Sequence, residues 1–194
     1  KAAKQFIEKN LNIENCPTET SLFIDNNKKK IASNYSSNNK KNIIIGAGSS
    51  GPTTKWGGSN YINLIIKLQE KCECYFFILA GPEEKKIVDE IVNKVGEQYA
   101  ISLANKNIKE IISIIASVDM YIGNDSFGQH IACQIGKPSI ILLLDTPSAY
   151  SEYSKNQHRI LPEGASIKDI SHDSSFDPNT IKVETVLNKA LLYL

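Results

Sequence analysis

No stretch of this sequence stays apolar for the roughly 18–20 residues that a membrane-spanning helix needs, and no secretory leader opens it. A transmembrane segment is therefore not expected. Charge of one sign is also missing: 22 Lys and Arg stand against 21 Asp and Glu. With no basic field, a nucleic-acid partner is not expected. Cysteine is sparse, at Cys16, Cys72, Cys74 and Cys133, with no Cys-x-x-Cys spacing. Cys72 and Cys74 alternate about Glu73, so a strand would put them on one face. They read either as a metal or redox pair or as small thiols of a reduced compartment, and the second reading is preferred. None of the three histidines is near that pair in sequence, so no metal site is expected. The chain opens at Lys1 rather than Met, inside a helical pattern, and reads as a piece of something longer.

What is present is an ordinary globular composition, 41% hydrophobic and 22% charged, over 194 residues. That length suits one domain with chain left for a linker or an end helix. Ala2–Asn10 reads as an amphipathic helix with Phe6 and Ile7 on its apolar side, and Ser21–Ile24 as a short strand. Asp25–Ile31 is polar, a possible helix, and Ser33–Lys41 has the composition of a linker. The expected division is an N-terminal helix and linker region over 1–41, a Rossmann-like domain over 42–178 and a C-terminal helix over 179–194.

Within the central domain a strand–helix rhythm repeats. Strands are predicted at Asn42–Gly46, Cys74–Ala80, Ala100–Leu103, Met120–Gly123 and Pro138–Leu144. Helices are predicted at Tyr61–Lys71 (starting a few residues earlier), Glu83–Val95, Asn107–Ala116 and Ser126–Ile135, with Asn179–Tyr193 closing the chain. Apolar strands alternating with amphipathic helices imply an α/β fold, a Rossmann-like parallel sheet with helices on both faces. Right-handed crossovers then bring every strand C-terminus to one edge, where such folds take ligands.

Three segments fall at that edge. In Gly123-Asn124-Asp125-Ser126-Phe127-Gly128-Gln129-His130 a strand runs into a helix. Asp125 is expected to cap the helix, leaving the N–H groups of Ser126, Phe127 and Gly128 to face an anion such as a diphosphate. His130, four residues after Ser126, could donate to a phosphate or leaving group. Read alone, this segment leaves open that Asp125 is only a cap and His130 only a packed histidine. The second segment is the glycine-rich turn from Gly46 through Lys55-Trp56, where backbone can approach a ligand and Lys55 can meet a phosphate. Trp56 reads as a packing residue, and the spacing of a P-loop is absent. Alone, Lys55 reads as a lysine on a solvated loop. The third segment, Gly81-Pro82-Glu83-Glu84, puts a carboxylate at a helix start, where it favours the dipole or holds ribose hydroxyls.

Taken together, Lys55-Trp56, Gly81-Pro82-x-Glu84 and Asn124-Asp125-Ser126-x-x-x-His130-Ile131-Ala132 resemble the C-terminal domain of the heptosyltransferases, glycosyltransferase family nine. The resemblance covers roughly Asn42 to Pro147. It implies the C-terminal half of a GT-B glycosyltransferase, whose N-terminal half, carrying the acceptor site and catalytic base, is missing here. It implies a nucleotide-sugar donor, typically ADP-heptose, a glycan or lipid-linked glycan acceptor as in lipopolysaccharide synthesis, and neither a metal nor another cofactor. Carried over by position, Lys55 contacts phosphate or sugar, Glu84 the ribose, and the loop holding Lys106 borders the adenine. Asp125, Ser126, Phe127 and His130 surround the diphosphate and sugar, with Gly46, Gly81 and Thr146 lining the site. Lys55, Asp125 and His130 are the residues expected to bear on catalysis. Such a donor implies a cytoplasmic location, peripheral at the inner membrane face.

Two positions depart from the family pattern. Phe127 stands where glycine is usual, with glycine one residue later, and Leu144-Asp145-Thr146-Pro147 replaces the usual Gly-Pro-Thr. These departures motivate a second reading, a nucleotide-sugar-binding domain that has lost catalysis. A third is a nucleotide-sugar epimerase or hydrolase of the same GT-B architecture.

Overall fold

The computed structural model describes residues 2–17, 21–24, 40–49, 55–147 and 150–194. The expected helix at 25–31, most of the linker and part of the turn after Gly46 lie outside them. Six strands form one sheet: β1 Lys41–Gly46, β2 Cys74–Leu79, β3 Ala100–Ser102, β4 Met120–Asn124, β5 Ser139–Leu142 and β6 Gln157–Ile160. Their order is β3-β2-β1-β4-β5-β6, and every pairing is parallel. The helices are α1 Ala2–Leu11, α2 Gly58–Gln69, α3 Lys85–Val95, α4 Ile108–Ser117, α5 Phe127–Gln134 and α6 Val183–Ala190. Among the described residues no helix is long and apolar enough to cross a membrane.

The side-chain period of two sorts the sheet into faces. Ile43 and Ile45 of β1, with Phe76, Ile78, Met120 and Ile122, join one core with Tyr61, Leu64, Ile65 and Leu68 of α2, Val88 and Ile91 of α3, and Val186 and Ala190 of α6. Ile44, Phe77, Leu79 and Tyr121 face the other way, onto Ile111, Ile114 and Ile115 of α4 and Ala132 of α5. Strands buried on both faces have no polar side to show, which is why β1 reads Ile-Ile-Ile and all three are fully buried. The closing helix α6 packs back on this core, against α2.

Three expectations change. Ser21–Ile24 is not a strand: it is irregular, and the Leu22 N–H donates to the Gln134 carbonyl at 3.1 Å instead of joining the sheet. Phe6, expected on the apolar side of α1, is 68% exposed. The segment before α3 is a separate 3-10 turn, Pro82–Glu84, because Pro82 stands at its start and the Glu84 carboxylate reaches back to the Gly81 N–H. Strand β6 is an addition. Its residues, Gln-His-Arg-Ile, show no apolar run, and it joins by backbone pairing at the sheet edge beside β5.

Candidate active site

The strand order reverses direction between β1 and β4, and the crevice beyond their C-termini is where folds of this order bind ligands. The two strands approach closely there. A Cβ on Gly123 would lie 2.5–2.7 Å from the backbone of Gly46, and one on Gly46 would lie 1.8 Å from the Tyr121 hydroxyl. Gly46, the last residue of β1, is thus a packing position inside the sheet, and the turn begins after it. Gly46, Gly48 and Gly51 fall at the Gly-x-Gly-x-x-Gly spacing. That fingerprint places its third glycine at the opening of a helix, whereas α2 begins only at Gly58.

Asn124, the last residue of β4, locks the crevice floor. It is fully buried. Its Oδ1 accepts from the Trp56 N–H at 3.0 Å and the Tyr61 hydroxyl at 2.9 Å, and its Nδ2 donates to the Ala47 carbonyl at 2.9 Å. Trp56 is buried and donates its indole N–H to the Ile181 carbonyl at 2.8 Å, as a packing residue would. These bonds fix where Lys55 leaves the loop. Lys55 Nζ sits 2.8 Å from Glu84 Oε1. The same carboxylate accepts the Ser49 N–H at 3.2 Å and the Gly81 N–H at 3.3 Å. The turns after β1 and β2 are therefore joined through Glu84.

On the β4 side the expected cap is corrected. Ser126, not Asp125, occupies the N-cap position of α5, with no side-chain capping bond. The reason is register: β4 continues through Asn124, which pairs with Leu142, so the helix starts later. The Ser126 side chain turns inward, 3.0 Å from the Tyr121 hydroxyl, which lies 2.9 Å from the Asn124 carbonyl. Among the described residues, the N–H groups of Ser126, Phe127 and Gly128 meet no acceptor, leaving the positive end of α5 open. Phe127 is 45% exposed, and the close packing falls on Gly128, where a Cβ would meet Leu79 at 2.6 Å.

The Asp125 carboxylate accepts from Gln129 Nε2 at 2.8 Å and lies 3.6 Å from His130 Nε2. Burial raises its pKa, while the Gln129, His130 and Thr146 contacts pull it down. Burial lowers that of His130, against the attraction of Asp125. His130 Nδ1 meets the Tyr153 hydroxyl and lies 2.9 Å from Gln129 Nε2. Thr146 and Asp145 are buried at the end of β5, with Thr146 Oγ1 donating to Asp145 Oδ1 at 3.4 Å. Asp145 lies near enough to Asp125 to disfavour its charge. Gln129, itself fully buried, also accepts from Gln157 of β6 at 3.2 Å.

The structure thus brings the candidate residues into two groups flanking the β1–β4 crevice: Lys55, Gly81 and Glu84 on one side, Asp125, Ser126, His130 and Thr146 on the other. Lys106 follows β3, further along the sheet, and pairs with Glu110 at 3.2 Å. Asn124 and Gln129 were not among the residues the sequence singles out as site-forming. The only signal for them is their place inside the strand-to-helix segment.

Comparison with known proteins fixes the family. The model of "Glycosyltransferase family 9 (heptosyltransferase)" matches residues 2–178. The chain belongs to glycosyltransferase family 9. It is 34% identical over 93 residues to lipopolysaccharide heptosyltransferase 1 of Campylobacter coli, covering 46% of this chain and 27% of that protein. Among solved structures, a glycosyltransferase family 9 protein from Veillonella parvula matches with a TM-score of 0.74 at 18% identity, over 93% of this chain and 55% of its own. E. coli heptosyltransferase WaaC with ADP matches with a TM-score of 0.69 at 16% identity, over 94% of this chain and 55% of its own. The chain spans about half the length of these solved structures and about a quarter of the curated relative. The family 9 chain therefore carries the Rossmann-like α/β fold expected of it.

Proposed function

We propose that this chain is the donor-binding half of a two-domain GT-B glycosyltransferase. It takes a nucleotide-activated sugar, ADP-heptose or a close relative, at the crevice between β1 and β4. The observation that carries this reading is the pairing, across one crevice, of a lysine held on a carboxylate with the open N-terminus of α5. A nucleoside diphosphate offers what these groups need: ribose hydroxyls to donate to Glu84, and phosphate oxygens to accept from Lys55 and the N–H groups of residues 126–128. The loop carrying Lys106 borders the base. Asp125, Ser126, Phe127, His130 and Thr146 surround the diphosphate and sugar, with Gly46 and Gly81 closing the lining.

In transfer, negative charge builds on the departing diphosphate. Lys55 and the helix N–H groups stabilise it in place, and His130 donates a hydrogen bond to it. A base from the other half takes the proton of the acceptor hydroxyl. The acceptor is a glycan or lipid-linked glycan of lipopolysaccharide type, met in the cytoplasm at the inner membrane face. Support comes from family membership, from a relative named a lipopolysaccharide heptosyltransferase, and from a solved neighbour described with ADP.

In the full-length enzyme, Lys55→Ala or Asp125→Ala should lower transfer by about 10²–10³-fold with folding retained; wild-type turnover in either would overturn the assignment. Calorimetry on this chain should show ADP preferred over UDP and GDP. The buried Asp145 beside Asp125 favours a second reading, a donor-binding domain without transfer. ADP binding with no transfer by the full-length protein to any glycan acceptor would select it. Turnover of a nucleotide sugar with no acceptor present would select a hydrolase or epimerase.

A further inference from the structure

At the edge of the sheet away from the candidate site, two sulfur atoms stand unusually close. Cys72 lies in the turn after α2, and Cys74 is the first residue of β2. Their Sγ atoms are 2.9 Å apart and share a hydrogen bond. That is closer than the roughly 3.5–4.0 Å at which even carbon atoms rest in contact. A further approach of less than about 1 Å reaches the length of a disulfide bond. The turn imposes the proximity: the Cys72 N–H and Sγ both bond the Leu68 carbonyl, at 3.0 and 3.4 Å, which folds Cys72 over the start of β2.

The two thiols are not equivalent. Cys74 is 2% exposed, and burial, followed by the Cys72 thiol, pushes its pKa far up, so it stays protonated. Cys72 is only partly buried and can meet a reagent from solvent. The other cysteines differ in setting. Cys133 Sγ is turned toward the His130 carbonyl and the Tyr153 hydroxyl, at 3.4 and 3.5 Å, and Cys16 Sγ toward the Pro17 carbonyl at 3.7 Å.

We propose that Cys72 and Cys74 form a dithiol modification site, which a low-molecular-weight disulfide of the glutathione type converts reversibly into an intramolecular disulfide. The Cys72 thiolate attacks one sulfur of the small disulfide, forming a mixed disulfide and expelling one small thiolate. The Cys74 thiol, protonated at rest, then passes its proton to the small thiolate just expelled and attacks the Cys72 sulfur, expelling the second. Two protein S–H bonds are replaced by one S–S bond, and the small disulfide is reduced to two thiols. A ring closed over the single residue Glu73 is strained, which makes the product easily reduced, as a reversible site requires. This inference is independent of the proposed transferase activity.

Trypsin tests it directly, because cleavage after Lys71 and Lys85 releases both cysteines in one peptide, residues 72–85. The folded chain is equilibrated with mixtures of oxidised and reduced glutathione, quenched in acid, digested and weighed by mass spectrometry. The 72–85 peptide should become lighter by two hydrogens as the oxidised fraction rises, and dithiothreitol should restore it. Cys74→Ser should instead trap a single glutathione adduct on Cys72, while Cys72→Ser should leave Cys74 unmodified. The proposal is overturned if the wild-type peptide stays reduced in excess oxidised glutathione, or gathers glutathione adducts with no loss of hydrogen. The wild-type measurement needs no variant to fold.

Discussion

Asn124 holds three buried groups with one amide: the Trp56 N–H, the Tyr61 hydroxyl and the Ala47 carbonyl. Removing it strands the Trp56 N–H and the Ala47 carbonyl away from water, whereas the Tyr61 hydroxyl still has the Gly46 carbonyl at 3.1 Å; each unsatisfied buried group costs about 1–3 kcal/mol. Asn124→Ala should therefore lower unfolding free energy by about 2–4 kcal/mol in a urea titration. Asn124→Asp keeps both acceptor contacts but sets an oxygen against the Ala47 carbonyl, so it too should destabilise. A change within about 0.5 kcal/mol in both would contradict this account. Gln129 acts on charge. Its amide is one of the contacts that restrain the raised pKa of Asp125. Gln129→Leu should raise that pKa further, read as a shift in the carboxyl carbon titration by NMR; an unchanged titration would remove Gln129 from this role. Neither role was legible in the sequence. The partners of Asn124 are 63 to 77 positions away, and an asparagine in a turn motif looks alike whether it caps, binds or clamps.

At the scale of elements, β1, β2, β4 and β5 were legible because their burial on both faces writes itself as unbroken apolar runs. The helices α2 to α5 were legible from their single apolar stripes. Where burial was partial, the signal faded: β6 joins through backbone bonds with polar side chains, and Ser21–Ile24 has strand-like residues but, among the described residues, no strand pairs with it. Asp125 misled because capping propensity is local, whereas the length of β4 is set by pairing with β5. The crevice between β1 and β4 makes a ranked prediction. A methyl added at Gly123 meets backbone, which cannot swing aside, while one at Gly128 meets side chains only, the flexible end of Leu79 at 2.6 Å and the edge of the Tyr121 ring at 2.9 Å. Gly123→Ala should lower Tm more than Gly128→Ala, with overpacking costs of about 1–3 kcal/mol or above. Equal Tm values would mean that the strands can part. The Lys55–Glu84 pair bridging the β1 and β2 turns is partly solvated, so screening limits it. A double-mutant cycle on stability should give a coupling of under about 1 kcal/mol. A larger value would make the pair a structural brace and weaken the case for its service to a ligand.

Across the whole molecule, near-neutral net charge leaves pH sensitivity to a few buried groups rather than to global repulsion. His130 and His158 both have pKa values lowered by burial. As pH falls through the ordinary histidine value of about 6.5, the unfolded chain takes up protons that the folded chain refuses. Their linkage therefore stabilises nothing at low pH and costs stability progressively as acid is added. Asp125 works in the opposite sense. Its folded pKa is raised, so the folded chain binds that proton more readily than the unfolded one and is relieved as pH drops toward it. Below about pH 6.5 the two histidines should therefore lower melting temperature, with the raised pKa of Asp125 working against them. Replacing His130 or His158 by Gln should each flatten that slope, and the double variant should flatten it most. Circular-dichroism melts between about pH 5 and 8 decide the matter: a double variant with the wild-type slope would show that neither histidine resists protonation in the folded chain.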